Sequence, residues 1–401
     1  MQFKVKKTLI ISVFFILIFT KPTFVDVFPA LAVLNYGYDI CRVLLMIGIP
    51  IYYFIQKNHS VNIVIIIMLY TMLAVSTYLN HGELRSVVLA AGNVFACCMF
   101  AEIGMKKSSR AFLQAVKYVF FIYIFLNFFT LLFYPKGWFI SGEVNKDNWF
   151  LGNKNVFVMF HIPYLFSTYA LKEYEKNKFS VTDVGGIIIT IICTLLSGSA
   201  TGIMGIGVFF AIYYFRTALK KTISSKMGIV VCYALFVLIV IFNLARLFSF
   251  LIVTVLHRNL TLTVRTYVWE EAINWYKTSP LFGVGIQPSD IAKDHLFNYY
   301  HPHCTYLFYL VFSGVIGFAI YTLYLIYVSK KIDEHGSNIS IPCVAVLWCI
   351  LVTYITEVYS RPELFFMAFT IAVSMTEKVS INFHAIIKKK KKQRLLKISH
   401  I

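Results

Sequence analysis

Two histidines flanking a proline, His301-Pro302-His303, stand where a long polar stretch gives way to the apolar run that starts at Cys304. Proline fixes the local backbone, so this triplet presents two imidazoles at a water–lipid boundary. An imidazole there can take a proton from a hydroxyl near neutral pH, or can simply hydrogen-bond a helix end. Arg258, Arg265 and Trp269 come earlier in the same stretch. Arg265, Trp269, Ala272, Ile273 and Tyr276 recur at helical spacing with Glu270, Glu271, Asn274 and Lys277 between them, which predicts an amphipathic helix on the membrane surface. Such a helix holds Arg265 at headgroup depth for an anion, or lets it snorkel. Farther on, Arg361 follows Glu357 and Tyr359 at the end of an apolar run that Pro362 breaks. A charge at that depth faces a cavity or a partner: Arg361 binds a phosphate with Glu357 as counter-ion, or the two form a structural pair. Arg42 and Arg246 are less constrained candidates of the same kind. Two histidines without a spaced carboxylate do not make a metal site.

The elements that position these residues are membrane spans. The chain is 59% hydrophobic and only 14% charged, with mean hydropathy +0.73, which excludes a soluble globular domain. Lipid leaves helices as the spanning elements for such a chain. The fold expected is all-α and polytopic, with about twelve transmembrane helices each able to cross roughly 30 Å of hydrocarbon. They begin near Thr8, Asp39, Val61, Ser86, Phe112, Asn155, Val184, Thr201, Met227, Cys304, Ile341 and Glu363. Residues 1–401 form one helical domain; 250–302 make one large extracytoplasmic loop with short amphipathic helices, 134–154 a smaller one, and 379–401 a basic cytoplasmic tail. In the smaller loop, Gly152-Asn153-Lys154-Asn155 has the turn residues of an exposed loop leading into a helix.

The net charge of +19 is spread over short inter-helix loops and the tail, which fits positive-inside topology better than nucleic-acid binding. It puts both termini in the cytoplasm, the loops at 134–154 and 250–302 outside, and the Lys388 to Lys392 run against anionic lipid. The N-terminal charge and apolar run read as an uncleaved first helix. Tyr52-Tyr53, Tyr213-Tyr214 and Tyr299-Tyr300 read as interface anchors. Eight cysteines, of which Cys304 alone adjoins the polar loop, imply neither a disulfide framework nor zinc.

Taken in order, several strings resemble the O-antigen ligase and polymerase family of bacterial envelope glycan assembly, the Wzy and WaaL type. They are Gly152-Asn153-Lys154-Asn155, Leu196-Ser197-Gly198-Ser199, Arg265 with Trp269, Ser279-Pro280-Leu281-Phe282-Gly283-Val284-Gly285, and His303 with Leu307 followed by Gly314-Val315-Ile316-Gly317. The resemblance implies a GT-C-like glycosyltransferase of the cytoplasmic membrane that needs no metal, cofactor or nucleotide sugar. Its donor and acceptor would be polyprenyl-pyrophosphate-linked oligosaccharides, with a chain-length regulator and a flippase as protein partners and no nucleic acid. It further implies His303 as the group that orients or deprotonates the acceptor hydroxyl, and Arg265 as the cation for the leaving diphosphate.

The chain departs from the family pattern at Ala200, where arginine often follows the serine, and at Cys304, where asparagine often follows the histidine. The second diphosphate ligand then falls to Arg361, Lys154 or Arg258, with Asn153, Asn155, Glu357, His301 and Trp269 as further substrate-binding candidates. A repeat-unit polymerase is the leading reading. The Ile, Phe, Lys and Asn richness fits an AT-rich genome, and a source without an outer membrane would favour it. An O-antigen-type ligase, a lipid-linked oligosaccharide flippase or transporter, and a non-catalytic assembly partner are the alternatives.

Overall fold

The computed structural model describes residues 2–141, 145–219, 223–255, 259, 262, 264–334 and 338–376. Each of the twelve apolar segments is helical. The first four helices are α1 (Gln2–Phe19), α2 (Ala32–Ile55), α3 (Val61–Leu79) and α4 (Leu84–Phe133). They are followed by α5 (Phe157–Glu175), α6 (Val181–Ser197), α7 (Ala200–Ala218) and α8 (Ser225–Leu235), which runs on as a π-helical turn to Ile241. Two short helices, α9 (Arg265–Tyr276) and α10 (Ser289–His295), precede α11 (Thr305–Asp333), α12 (Ser340–Thr353) and α13 (Pro362–Thr376). Five of these, the helix ending at Ile55 together with α3, α4, α7 and α11, are long and apolar enough to cross a membrane.

Helix α4 has 50 residues and is broken at Ser108, whose backbone is extended. Each half reaches about 36 Å at 1.5 Å per residue, so the two halves correspond to the two apolar segments that begin near Ser86 and Phe112. The apolar residues of α6 show where the solvent boundary lies. Val181, Val184, Ile188 and Leu195 share a face and are exposed, whereas Thr190, Cys193 and Thr194 are buried. Apolar side out and hydroxyls in is the arrangement lipid favours. At the centre, α12 is buried at every residue, and α5 from Phe157 to Leu171.

The large connection differs from the expected loop in two ways. Irregular backbone begins soon after Ile241, earlier than residue 250, with a 3-10 turn over Ala245–Phe248. The string Phe282-Gly283-Val284-Gly285, whose glycines read as a turn within that loop, is a packed insertion. Gly314 breaks α11 with φ 64° and ψ −170°, which releases carbonyls from the helix ladder. Val311 O then accepts from Val284 N at 2.9 Å, and Phe312 O from Gly285 N at 3.1 Å; Pro280 O accepts in turn from Val315 N at 2.9 Å. Two glycine motifs far apart in sequence are one backbone joint.

A Cβ on Gly314 would collide with the Leu281 carbonyl, and its φ is one that L residues rarely adopt. Gly314→Ala is therefore expected to destabilise the protein by about 3 kcal/mol, strain and overpacking together. A purified variant melting within a degree of the parent would contradict this.

The smaller connection contains an antiparallel hairpin, β1 (Phe139–Ser141) with β2 (Asn145–Asn148), a departure from the all-α expectation. Trp149 Nε1 donates to Tyr134 O at 2.8 Å, Leu151 N to Asn127 Oδ1 at 3.0 Å, and Thr23 Oγ1 to Leu151 O at 2.8 Å. These bonds fasten the residues leading into Asn153 to the end of α4. Tyr53 and Tyr213 are buried and donate to Glu102 at 2.6 Å and Glu173 at 2.5 Å, which corrects their reading as interface anchors.

Candidate active site

The loop end is set by its own backbone. His303 adopts a left-handed φ of 49°, its N–H donates to His301 Nδ1 at 3.3 Å, and the Tyr299 and His301 rings pack edge-on against its imidazole at 4.8 and 4.5 Å. Pro302 between them is buried. Thr305 opens α11 and ties it to the segment after α12: its N–H donates to Tyr354 O at 2.8 Å and its hydroxyl to Glu357 O at 2.7 Å. Cys304 is fully buried.

Those two bonds carry Glu357 under the histidine. Glu357 Oε2 lies 3.8 Å from His303 Nδ1, and Oε1 accepts from Arg265 Nη2. The carboxylate, with a side chain only 6% exposed, thus bridges the imidazole and the guanidinium. Its partner is Arg265, not Arg361, because α9 begins at Arg265 and packs against α11. Arg265 keeps its Nε buried without a partner. His303 Nδ1 has no hydrogen-bond partner at this distance, but a carboxylate beside an imidazole is the arrangement in which a histidine is oriented to act as a base.

His301 plays a different part. Burial, together with the positive charges of His303 and Arg265, pushes its imidazole down to about 3, so it stays neutral and accepts the His303 N–H. A group whose folded value lies below its unfolded value binds its proton first in the unfolded chain, so stability falls as pH drops from about 6.5 towards 3. Below pH 6.5 the His301 contribution is expected to be lost at up to about 1.4 kcal/mol per pH unit. Melting temperatures of the parent and His301→Gln between pH 7.5 and 5 check it: equal slopes would exclude the effect.

His301, His303 and Glu357 open on a cavity of about 460 Å³, which Asn153, Asn155, Tyr299, Tyr300, Gln287, Asn298 and Ser360 also line. Arg265 reaches it only through Glu357 and is not itself a lining residue. Asn153 Oδ1 accepts from Asn155 N at 3.0 Å, and Asn155 Oδ1 accepts from Ser199 Oγ at 3.1 Å. Ser199 also caps α7 by accepting from Gly202 N at 3.2 Å. The Gly152–Asn155 string and the Ser197–Ser199 break therefore meet. A second chamber of about 210 Å³ adjoins, lined by Tyr70, Leu73, Val87, Tyr309 and Tyr354, and shares Ala90, Ile286, Phe308, Val358, Tyr359 and Pro362 with the first. One polar and one apolar compartment side by side suit an amphiphile.

The remaining candidates stand elsewhere. Trp269 is 1% exposed: it lies one turn from Arg265 on the buried face of α9, so it props the helix and adds nothing to the cavity wall. Lys154 is exposed and does not line the cavity, because Asn153 and Asn155 turn inward on either side of it. Arg361 points away from the cavity although its neighbours Ser360 and Pro362 line it, and burial lowers its affinity for its proton. Arg246 is exposed. Arg258 lies outside the described residues, as do Glu143 and the basic tail. Tyr299 and Tyr300, expected as interface anchors, are cavity residues, and their adjacency to His301 was the available signal. Gln287, Asn298 and Ser360 carried none.

Residues 185–322 match the family model described as O-antigen ligase, consistent with the O-antigen ligase and polymerase family. That span contains Arg265, His303 and the joint of Gly283, Gly285 and Gly314, but not Asn153, Asn155 or Glu357. The match supports a ligase- or polymerase-type enzyme function in glycan assembly. No curated protein and no solved structure matches the chain.

Proposed function

We propose, from an O-antigen ligase match that includes both Arg265 and His303, that the chain is a repeat-unit polymerase: it joins polyprenyl-pyrophosphate-linked oligosaccharides. The observation that carries this reading is the cavity that His303, the Arg265-paired Glu357, Asn153 and Asn155 all line, beside an apolar chamber. The glycan and diphosphate would occupy the polar compartment, and the first prenyl units the apolar one.

In the reaction, an acceptor hydroxyl loses its proton to His303 as its oxygen bonds to the anomeric carbon of the donor. The bond from that carbon to the diphosphate oxygen breaks, and its electron pair leaves with the lipid diphosphate. Glu357 holds the resulting imidazolium. Arg265, released in part from Glu357, meets the developing negative charge with its fork of N–H donors, including the free Nε. None of these steps draws on a metal.

The setting proposed is a bacterial cytoplasmic membrane crossed about twelve times, GT-C-like, with the cavity outside and both termini inside. Charge asymmetry supports it. The short connections at the cavity end of the bundle, around 80–83, 198–199 and 354–361, hold one lysine or arginine, Arg361, whereas the short ones at the other end hold Lys57, Lys106, Lys107, Arg110, Lys176, Lys178 and Lys226; the other basic residues at the cavity end lie in its longer connections. A flippase would supply both substrates, and a chain-length regulator would limit the product.

Purified protein incubated with lipid-linked repeat units alone tests the reading. A ladder of products without ATP is expected. Transfer only to a different acceptor would make it a ligase, and lipid movement between leaflets without product would make it a flippase.

A further inference from the structure

Beside the active-site cavity lies a second pair of guanidiniums. Arg42 Nε, from α2, and Arg361 Nη1, from the turn before α13, are both buried without a hydrogen-bond partner. Glu363, Arg42 and Asp26 act electrostatically on Arg361, and Arg361 and Arg42 both act on the buried Glu363, so the two arginines flank one carboxyl group. Neither has a carboxylate within 4.0 Å among the described residues. Of the acids nearby, Asp26 and Asp39 are both engaged by Lys21, at 2.6 and 3.0 Å, and the buried Glu363 alone faces the pair. Two like charges held close in an apolar surrounding are costly unless an anion joins them.

The place is accessible and adjoins the reaction site. Asn93 Oδ1 is a third buried atom without a partner, one helical turn along α4 from Ala90, which lines the cavity. Arg361 itself sits between two cavity-lining residues. Helix α2 packs chiefly on α4 and leaves Val33, Leu34, Tyr36, Ile40, Leu44 and Ile47 exposed, while open space surrounds Gly37 and Gly48. An acyl or prenyl chain can lie along that side with its head at Arg42.

We propose that Arg42 and Arg361 form a second anion site, which holds the diphosphate of the lipid-linked acceptor while Arg265 serves the donor. This rests on the polymerase reading and deepens it, because a polymerase handles two lipid diphosphates at once. Paired guanidiniums match a diphosphate's spread of oxygens better than a single phosphodiester.

Half-saturation concentrations of the full-length protein for donor and acceptor, measured in phosphatidylcholine nanodiscs, separate the two roles. Arg42→Gln and Arg361→Gln should each raise the value for the lipid-linked acceptor at least tenfold and move the donor value less than twofold. Equal rises for both substrates, or no rise, would overturn the proposal. So would a defect seen only in phosphatidylglycerol discs, which would assign the site to bulk anionic lipid. Titration with inorganic pyrophosphate reads the site without turnover and survives failure of the polymerase reading: two equivalents should bind the parent and one should bind Arg42→Gln. A single equivalent in both would exclude the site. Should the glutamine variants fail to insert, Arg42→Lys keeps the charge but loses the fork, and should still raise the acceptor value about threefold.

Discussion

Replacing His303 with alanine is expected to slow glycan transfer by roughly 10²- to 10⁴-fold, the usual worth of a positioned general base, while the protein inserts and melts like the parent. The imidazole is one-fifth exposed, faces the cavity, and donates or accepts no hydrogen bond through Nδ1, so its removal leaves little of the fold unsupported. The left-handed backbone at φ 49° suits alanine somewhat less than histidine, a small cost in stability, and the His301 bond to the residue 303 N–H survives. Initial rates with purified lipid-linked repeat units, alongside melting curves, make the check. A variant that retains a tenth of the parent rate would remove His303 from the chemistry and leave it a helix-end residue.

Arg265→Ala is expected to do two things at once. It should abolish transfer by removing the charge that meets the leaving diphosphate, and it should destabilise the fold by about 3–5 kcal/mol, because Glu357 would stay buried without its cation. The two effects separate in a double variant. Arg265→Ala/Glu357→Gln removes the orphaned charge, so melting should return most of the way to the parent, and transfer should stay absent. Arg265→Lys should also transfer poorly, since an ammonium lacks the planar fork. If the double variant recovered activity together with stability, Arg265 would be a structural counter-ion and the diphosphate would need another ligand. Unchanged product yield in Arg265→Ala itself would dispose of the assignment outright.

Parts of this arrangement were legible before any coordinates. The helix that begins at Arg265 followed from the spacing of Arg265, Trp269, Ala272 and Tyr276, and the twelve helical segments followed from apolar run length. What the spacing could not say is which side of the helix is inner. Trp269 was a candidate for substrate and turned out to be packing, because its face of α9 is the one that meets α11. The pairing of Glu357 was read as local, with Arg361 four residues on. A four-residue separation brings side chains together on a helix, but Glu357 closes the last turn after α12, its N–H donating to Thr353 O at 3.1 Å, and the chain from 357 to 361 is not helical, so that rule did not apply there.

By itself, then, the sequence determined that the chain is a set of apolar helices with its ionisable groups mostly in the connections between them, since hydropathy and charge bias are sums over residues and need no contacts. It also placed glycine at 283, 285 and 314, although not why. Tertiary structure alone decided that these glycines form one joint, that Ser199 holds Asn155, and that Arg265, Glu357 and His303 converge. Such contacts join residues about thirty to about ninety positions apart, and their selection depends on how helices kink and cross, which no local pattern encodes.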